Sequence, residues 1–258
     1  MARILLPLPD RDFDVTEVAV PWRLLTDAGH EVVFATERGD VTPAADPLLL
    51  RDGWFYGPLG AAAEPRAFYA ALLEAPAFRA PVSWSAVDVS TFDGFVLPGG
   101  HAPGMRQYLG SAELQEKVAS FWALGRPTGA ICHGVLVLAR TTGADGKSVL
   151  HDRRTTCLPK YMERSAYLLT FWRLGRHYRT YAAYVEDEVR AALADPAQQF
   201  ECGPRVLTER GTATDDRPAF VVEDRNYVSS RWPGDAYLFT RRFLALLDAA
   251  RRSEAAAE

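Results

Sequence analysis

Apolar positions along the chain fall into short continuous runs separated by amphipathic stretches. Arg3 to Leu8 and Glu31 to Thr36 (Glu-Val-Val-Phe-Ala-Thr) read as buried strands, because a short apolar run bounded by turn residues suits a strand covered on both faces. Between them, Thr16 can cap a helix from about Glu17 to Ala28, with Pro21 tolerated only near its first turn and Gly29 as the stop. A strand, a helix and a second strand in so short a span form a βαβ unit and imply a parallel sheet.

The alternation continues. Pro65 to Leu73 predicts a helix and Gly94 to Pro98 a strand. Ser111 caps a helix from Ala112 to Leu124, and the strand Pro127 to Ile131 feeds a helix ending near Arg140. Leu150 to Cys157 reads as a short strand. Tyr161 to Leu174 and Tyr178 to Leu193 read as two helices, a helical insertion at about residues 160–195. Arg205 to Leu207, Ala219 to Val222 and Tyr227 to Ser229 are candidate strands before a closing helix, Gly234 to Arg251. Asp40 to Pro65, with Trp54, Phe55 and Tyr56, reads as an irregular excursion over the strand ends, and Ser253 to Glu258 as a fraying tail. The expected fold is a single domain over residues 1–258, a three-layer α/β/α sandwich of flavodoxin-like type with a mostly parallel sheet. Ligand chemistry is then expected outside the carboxyl ends of the strands.

Composition narrows the function classes. Hydrophobic content of 48% and charged content of 24% are ordinary for a globular chain, and a net charge of -4 suggests no nucleic-acid or acidic-membrane partner. The first apolar stretch is too short for a signal peptide or a membrane span, so a cytoplasmic location is expected. Cys132, Cys157 and Cys202 are odd in number, lie far apart and form neither a zinc spacing nor a disulfide framework. His101, His151 and His177 show no metal-ligand spacing, and no metal or cofactor is expected.

The chemistry concentrates at Pro127 to Ala139 (Pro-Thr-Gly-Ala-Ile-Cys-His-Gly-Val-Leu-Val-Leu-Ala). Small residues flank Cys132 between a strand and a helix, as a nucleophile on a tight strand-to-helix turn requires. The helix that follows aims its amide N–H groups at the sulfur, which favours thiolate. Gly99-Gly100-His101 closes another strand, where backbone amides can approach a bound oxygen closely. The Gly100 and His133 amides are the expected oxyanion donors. Glu17 lies at the start of the helix after the first strand, on the same edge of the sheet.

Ala130-Ile131-Cys132-His133-Gly134, preceded by Leu97-Pro98-Gly99-Gly100-His101, resembles the ThiJ/PfpI (DJ-one) superfamily of class I glutamine-amidotransferase-like proteins. The resemblance runs from about residue 3 to residue 245. Glu17 resembles the family glutamate that contacts the nucleophilic cysteine. The chain is most similar to the larger branch with glyoxalase III and chaperone activities, in which a later carboxylate completes a Cys-His-Glu/Asp triad. Glu163 stands at that place here. Glu186-Asp187-Glu188-Val189 also resembles a segment of that branch, whereas Gly100-His101-Ala102-Pro103 and Ser229 to Asp235 depart from it.

The resemblance implies a cofactor-independent enzyme acting on a small electrophilic carbonyl compound. Cys132 is its nucleophile, His133 its acid/base oriented by Glu163, and Glu17 a proton donor to sulfur or a proton shuttle. Arg231 is a candidate for binding an anionic substrate group, with pairing to Asp235 as its structural alternative. Two other readings share the thiol: an amidase, peptidase or small-molecule hydratase, and a redox-sensing stress chaperone without turnover. A homodimer is expected, with the aromatic insertion suited to its interface.

Overall fold

The computed structural model describes residues 1–51, 59–179 and 181–255. Trp54, Phe55 and Tyr56 lie outside the described residues, as do the last three residues of the tail. The chain opens with β1 (Arg3–Pro7), β2 (Arg11–Phe13), α1 (Val15–Asp27) and β3 (Glu31–Thr36). The short β4 (Ala44–Ala45), α2 (Ala63–Glu74), α3 (Pro76–Arg79) and β5 (Val82–Ser83) follow. Next come β6 (Gly94–Leu97), α4 (Met105–Leu109), α5 (Ala112–Ala123), β7 (Thr128–Ile131) and α6 (Val135–Arg140). The last part holds α7 (Lys160–Leu174), α8 (Val185–Ala192), α9 (Pro196–Gln199), β8 (Val221–Asp224), β9 (Tyr227–Ser230) and α10 (Ala236–Ala255).

Seven strands form one sheet in the order β5-β3-β1-β6-β7-β9-β8. All neighbours are parallel except β8 and β9. Helices α1, α2 and α10 pack together on one side, and α5, α6 and α8 form a second group. This is the expected α/β sandwich. The strand order reverses at β1 and β6, because the chain leaves β1 for β3 on one side and returns to β6 on the other. Loops leaving two strands at such a point diverge and open a crevice, which is where this fold class binds ligands.

Small residues in the central strands are explained by what packs on them. A Cβ on Gly129 would sit 2.8 Å from Phe239, and one on Gly94 2.9 Å from Phe243. These aromatic side chains of α10 therefore lie directly on the backbone of β7 and β6, and Phe95 meets Phe121 of α5 at 5.2 Å between ring centroids.

Several expectations are corrected. Asp14 rather than Thr16 caps α1, accepting from Thr16 N–H at 2.8 Å and Glu17 N–H at 3.1 Å. Pro21 lies well inside that helix, which frees the Glu17 carbonyl from its helical bond. Leu150 to Cys157 is not a strand: only the single bridge Thr155–Phe200 forms there. Arg205 to Leu207 is likewise irregular. The second insertion helix starts at Val185, not Tyr178, because Tyr178 and its neighbours are held in a turn against His101 and His177. Leu168, Leu169, Phe171 and Trp172 of α7 remain exposed.

Candidate functional site

Cys132 directly follows β7 and lies in the left-handed region, with φ of +59°. A non-glycine residue held there stores about 1–3 kcal/mol of strain that the surroundings must offset. They do so through contacts only glycine permits. A Cβ on Gly134 would lie 2.1 Å from the Leu97 carbonyl oxygen, and one on Gly99 would lie 2.7 Å from the His133 nitrogen. The β6 loop and the β7 turn are thus pressed together, backbone on backbone. This is the sharp turn that the sequence implied at Cys132.

Glu17 locks the same junction. Its Oε2 accepts the Gly99 N–H at 2.7 Å. Its Oε1 is buried with no hydrogen-bond partner, and the carboxyl lies beside the Cys132 thiol. The Asp14 N–H donates to the Gly99 carbonyl at 2.9 Å, so the three loops leaving β1, β6 and β7 are joined in one cluster.

The cluster holds three buried acids, and burial opposes charge on each. It pushes the Glu17 carboxyl well above its ordinary 4.5, with repulsion from Asp14 adding to the effect. It pushes the Cys132 thiol up as well, with Glu17 and Asp14 contributing. Asp14 is raised to about 6, since its bonds to the Glu17 and Thr16 amides and the charge of Arg210 partly counter burial. Burial thus favours the protonated forms of Glu17 and Cys132, while the amide bonds and Arg210 offset it in part for Asp14.

His133 Nδ1 lies 3.5 Å from the Cys132 sulfur, and the His133 N–H also points at that sulfur. Burial and the neighbouring His101 hold the His133 imidazole well below its ordinary range, so it is neutral. His101 meets it edge to face at 4.7 Å between ring centroids and is itself lowered to about 4 by burial. His101 in turn meets Tyr178 at 5.1 Å. His177, next in the chain to Tyr178, bonds Asp46 at 2.8 Å.

Beside this cluster is a cavity of about 510 Å³, with Asp14, His101 and Arg210 among its lining residues. Cys132 itself has no exposed surface. His101, which packs on His133, and Asp14, whose charge acts on Cys132 and Glu17, connect the cavity to the cluster around the sulfur.

The structure brings Cys132, His133, Glu17, Gly99, Gly100 and His101 together and leaves two predicted residues elsewhere. Glu163 does not reach His133. Its Oε2 accepts the Val185 N–H at 3.0 Å, and its Oε1 lies 3.6 Å from Arg179. It fastens α7 to the start of α8. Arg231 is fully buried and spends its donors on Asp235, at 2.8 and 2.9 Å, and on the Pro204 and Pro218 carbonyls. Four of its five N–H donors are thereby used, and the Asp235 alternative is the one adopted. The Gly99 amide is likewise committed to Glu17. Gly100 serves close packing: a Cβ there would lie 2.8 Å from the Asp12 carbonyl.

Sequence reasoning missed Asp14, Arg210, Tyr178 and the His177–Asp46 pair. Asp14 was readable, since Asp14-Val15-Thr16-Glu17 has capping-box spacing. Arg210 lies in an irregular segment with no motif around it.

The model of the family described as ThiJ/PfpI family-like matches residues 8–204. The chain belongs to the ThiJ/PfpI family. An uncharacterised protein of Schizosaccharomyces pombe is 32% identical over 177 residues, 64% of this chain and 62% of the yeast protein, so the match spans less than two thirds of that relative's length. A deglycase of Pyrococcus abyssi is 26% identical over 95% of this chain and 99% of its own. The structure of glyoxalase III from Candida albicans superposes with a TM-score of 0.65 at 17% identity, covering 95% of this chain and 97% of that one. That likeness shows the shared fold. Within this ThiJ/PfpI chain, the turn at Cys132 and the Glu17 carboxyl against its sulfur occupy the crevice that the strand order opens.

Proposed function

We propose that this protein is a cysteine-dependent enzyme acting on a small electrophilic carbonyl compound, converting it by thiol addition and hydrolytic release. The observation that carries the reading is the buried meeting of Cys132 with the Glu17 carboxyl and with His133 Nδ1, 3.5 Å from the sulfur, where burial favours the neutral form of all three. Such a site holds a nucleophile, a proton donor and a proton acceptor with no net charge at rest.

The chemistry follows from those protonation states. The Cys132 sulfur adds to the carbonyl carbon while its proton passes to His133 Nδ1. The Glu17 carboxyl gives its proton to the carbonyl oxygen, and a hemithioacetal results. The proton on His133 returns to Glu17. His133 then takes the hydrogen of the former aldehyde carbon and delivers it to the adjacent carbonyl carbon through an enediol, with Glu17 relaying the oxygen-bound proton. Water hydrolyses the resulting 2-hydroxy thioester to the hydroxy acid and the free thiol. The deglycase relative supports this substrate class. Amide hydrolysis by the same thiol would draw on the Gly100 and His133 amides as oxyanion donors, whereas the deglycase relative points to carbonyl substrates. A redox sensor needs an exposed thiolate, whereas Cys132 is buried as a thiol.

The test is turnover of methylglyoxal by the purified protein, with lactate as the product of hydration and internal redox. Thiol-dependent lactate formation that disappears in Cys132→Ala is expected. Equal lactate formation by the variant would overturn the proposal.

A further inference from the structure

We propose that the cavity beside Cys132 binds uncharged carbonyl compounds that carry an apolar group about the size of a phenyl ring. This rests on the reading of Cys132 as a carbonyl-attacking thiol and adds the class of substrate.

Size is the first argument. The cavity measures about 510 Å³, within the roughly 300–1,000 Å³ typical of pockets for drug-sized ligands. A three-carbon dicarbonyl leaves most of it empty. The second argument is the lining. Away from the cysteine it is hydrocarbon and aromatic, with Leu49, Leu158, Met162, Leu169, Val206 and Trp232. Of its polar groups, His101 and Asp14 belong to the Cys132 cluster, the Tyr161 and Thr170 hydroxyls are bonded to the Val206 and Ala166 carbonyls, and Ser165, Tyr178, Thr208 and Arg210 complete the lining. A ligand that fits has one polar end, directed at the sulfur, and one apolar end.

Charge decides the rest. Among the described lining residues only Asp14 and Arg210 carry full charges. Arg210 lies in the field of Asp14 and Glu17 and over the Trp232 ring, 5.0 Å from its centroid. Its charge is already matched by that of Asp14. A carboxylate ligand would lose its hydration against leucine and valine side chains and gain no unmatched cation. The cavity therefore favours a neutral ligand.

Isothermal titration of the full chain with three inert probes tests this: acetophenone, acetone and the anion benzoylformate. Acetophenone should bind at least about tenfold tighter than acetone, as burial of a ring's apolar surface dictates, and tighter than benzoylformate. Ala166→Trp fills the cavity from α7 and should abolish acetophenone binding. Ser165→Trp, on the same wall, does so if the first variant fails to fold. Equal binding of acetone and acetophenone, preference for benzoylformate, or undiminished binding by a folded tryptophan variant overturns the proposal. Turnover of phenylglyoxal and methylglyoxal is measured alongside. If neither is converted while the acetophenone pattern holds, the carbonyl-enzyme reading fails and the cavity assignment stands.

Discussion

Glu17 and Cys132 share one buried junction in which both hold their protons. One carboxyl oxygen of Glu17 takes the Gly99 amide and the other is buried with no hydrogen-bond partner. An ionised carboxylate there would leave a buried, half-satisfied charge, so the neutral acid is the stable form.

Replacing that acid gives a signed pH prediction. The folded state binds the Glu17 proton more tightly than the unfolded state, whose carboxyl titrates near 4.5. Its contribution to stability is present below pH 4.5 and is lost as pH rises toward the higher folded value. Glu17→Gln keeps an acceptor for the Gly99 amide but has no proton to give. It should flatten the decline of Tm above pH 4.5 and lower turnover by about 10²–10⁴-fold. Thermal melts across pH, together with rates, check both halves.

Glu163 offers the opposite case. Burial raises its carboxyl to about 7, so the stability it contributes as a neutral acid declines between its unfolded value of 4.5 and pH 7. Glu163→Gln still accepts the Val185 amide. At pH 8 it should melt at or above the wild-type temperature and turn over within about threefold of it, since surface-distant isosteric changes shift rates little. A loss beyond a hundredfold, roughly 2.7 kcal/mol, would restore Glu163 to a catalytic triad.

Arg231→Leu leaves Asp235 as an unpaired charge among buried groups. The expected cost is about 3–5 kcal/mol of stability, read by denaturant unfolding. Arg231→Leu with Asp235→Asn should recover part of it. KM of the folded fraction should be unchanged, because Arg231 is not among the residues that line the cavity and its guanidinium is bonded to Asp235 and two carbonyls.

His101 lines the cavity and packs edge to face on His133, which lies beside the sulfur. His101→Ala should therefore speed alkylation of Cys132 by iodoacetamide at neutral pH, by about tenfold or more, as expected for relief of a steric block worth at least 1.4 kcal/mol. Peptide mass mapping distinguishes Cys132 from Cys157, which is also buried, and from the partly exposed Cys202. No acceleration at Cys132 would mean that the path to the sulfur runs elsewhere.

Local chemistry made the strands and the turn legible. The residues of β3 and β7 are short apolar runs between turn formers, and the crowding that makes Gly134 obligatory follows from the tightness of the bend at Cys132. What stayed hidden depends on contacts across long separations. The sequence places Glu163 and Glu17 alike as helix-start carboxylates, and only packing shows that one meets a thiol and the other an amide of α8. Arg231 and Asp235 are near enough in sequence for their pairing to be weighed, but burial decided it. The meeting of His177 with Asp46 and of Arg210 with Asp14 has no local signal at all.

The central claim is that the Cys132 sulfur forms the bond to the substrate carbon. Methylglyoxal turnover by wild type and by Cys132→Ser, with circular dichroism and melting to show that both are folded, tests it most directly. The account predicts lactate formation by wild type and a fall of at least about a thousandfold in the folded serine variant, the scale seen when a nucleophile is removed. Lactate formation at the wild-type rate by that variant would contradict it.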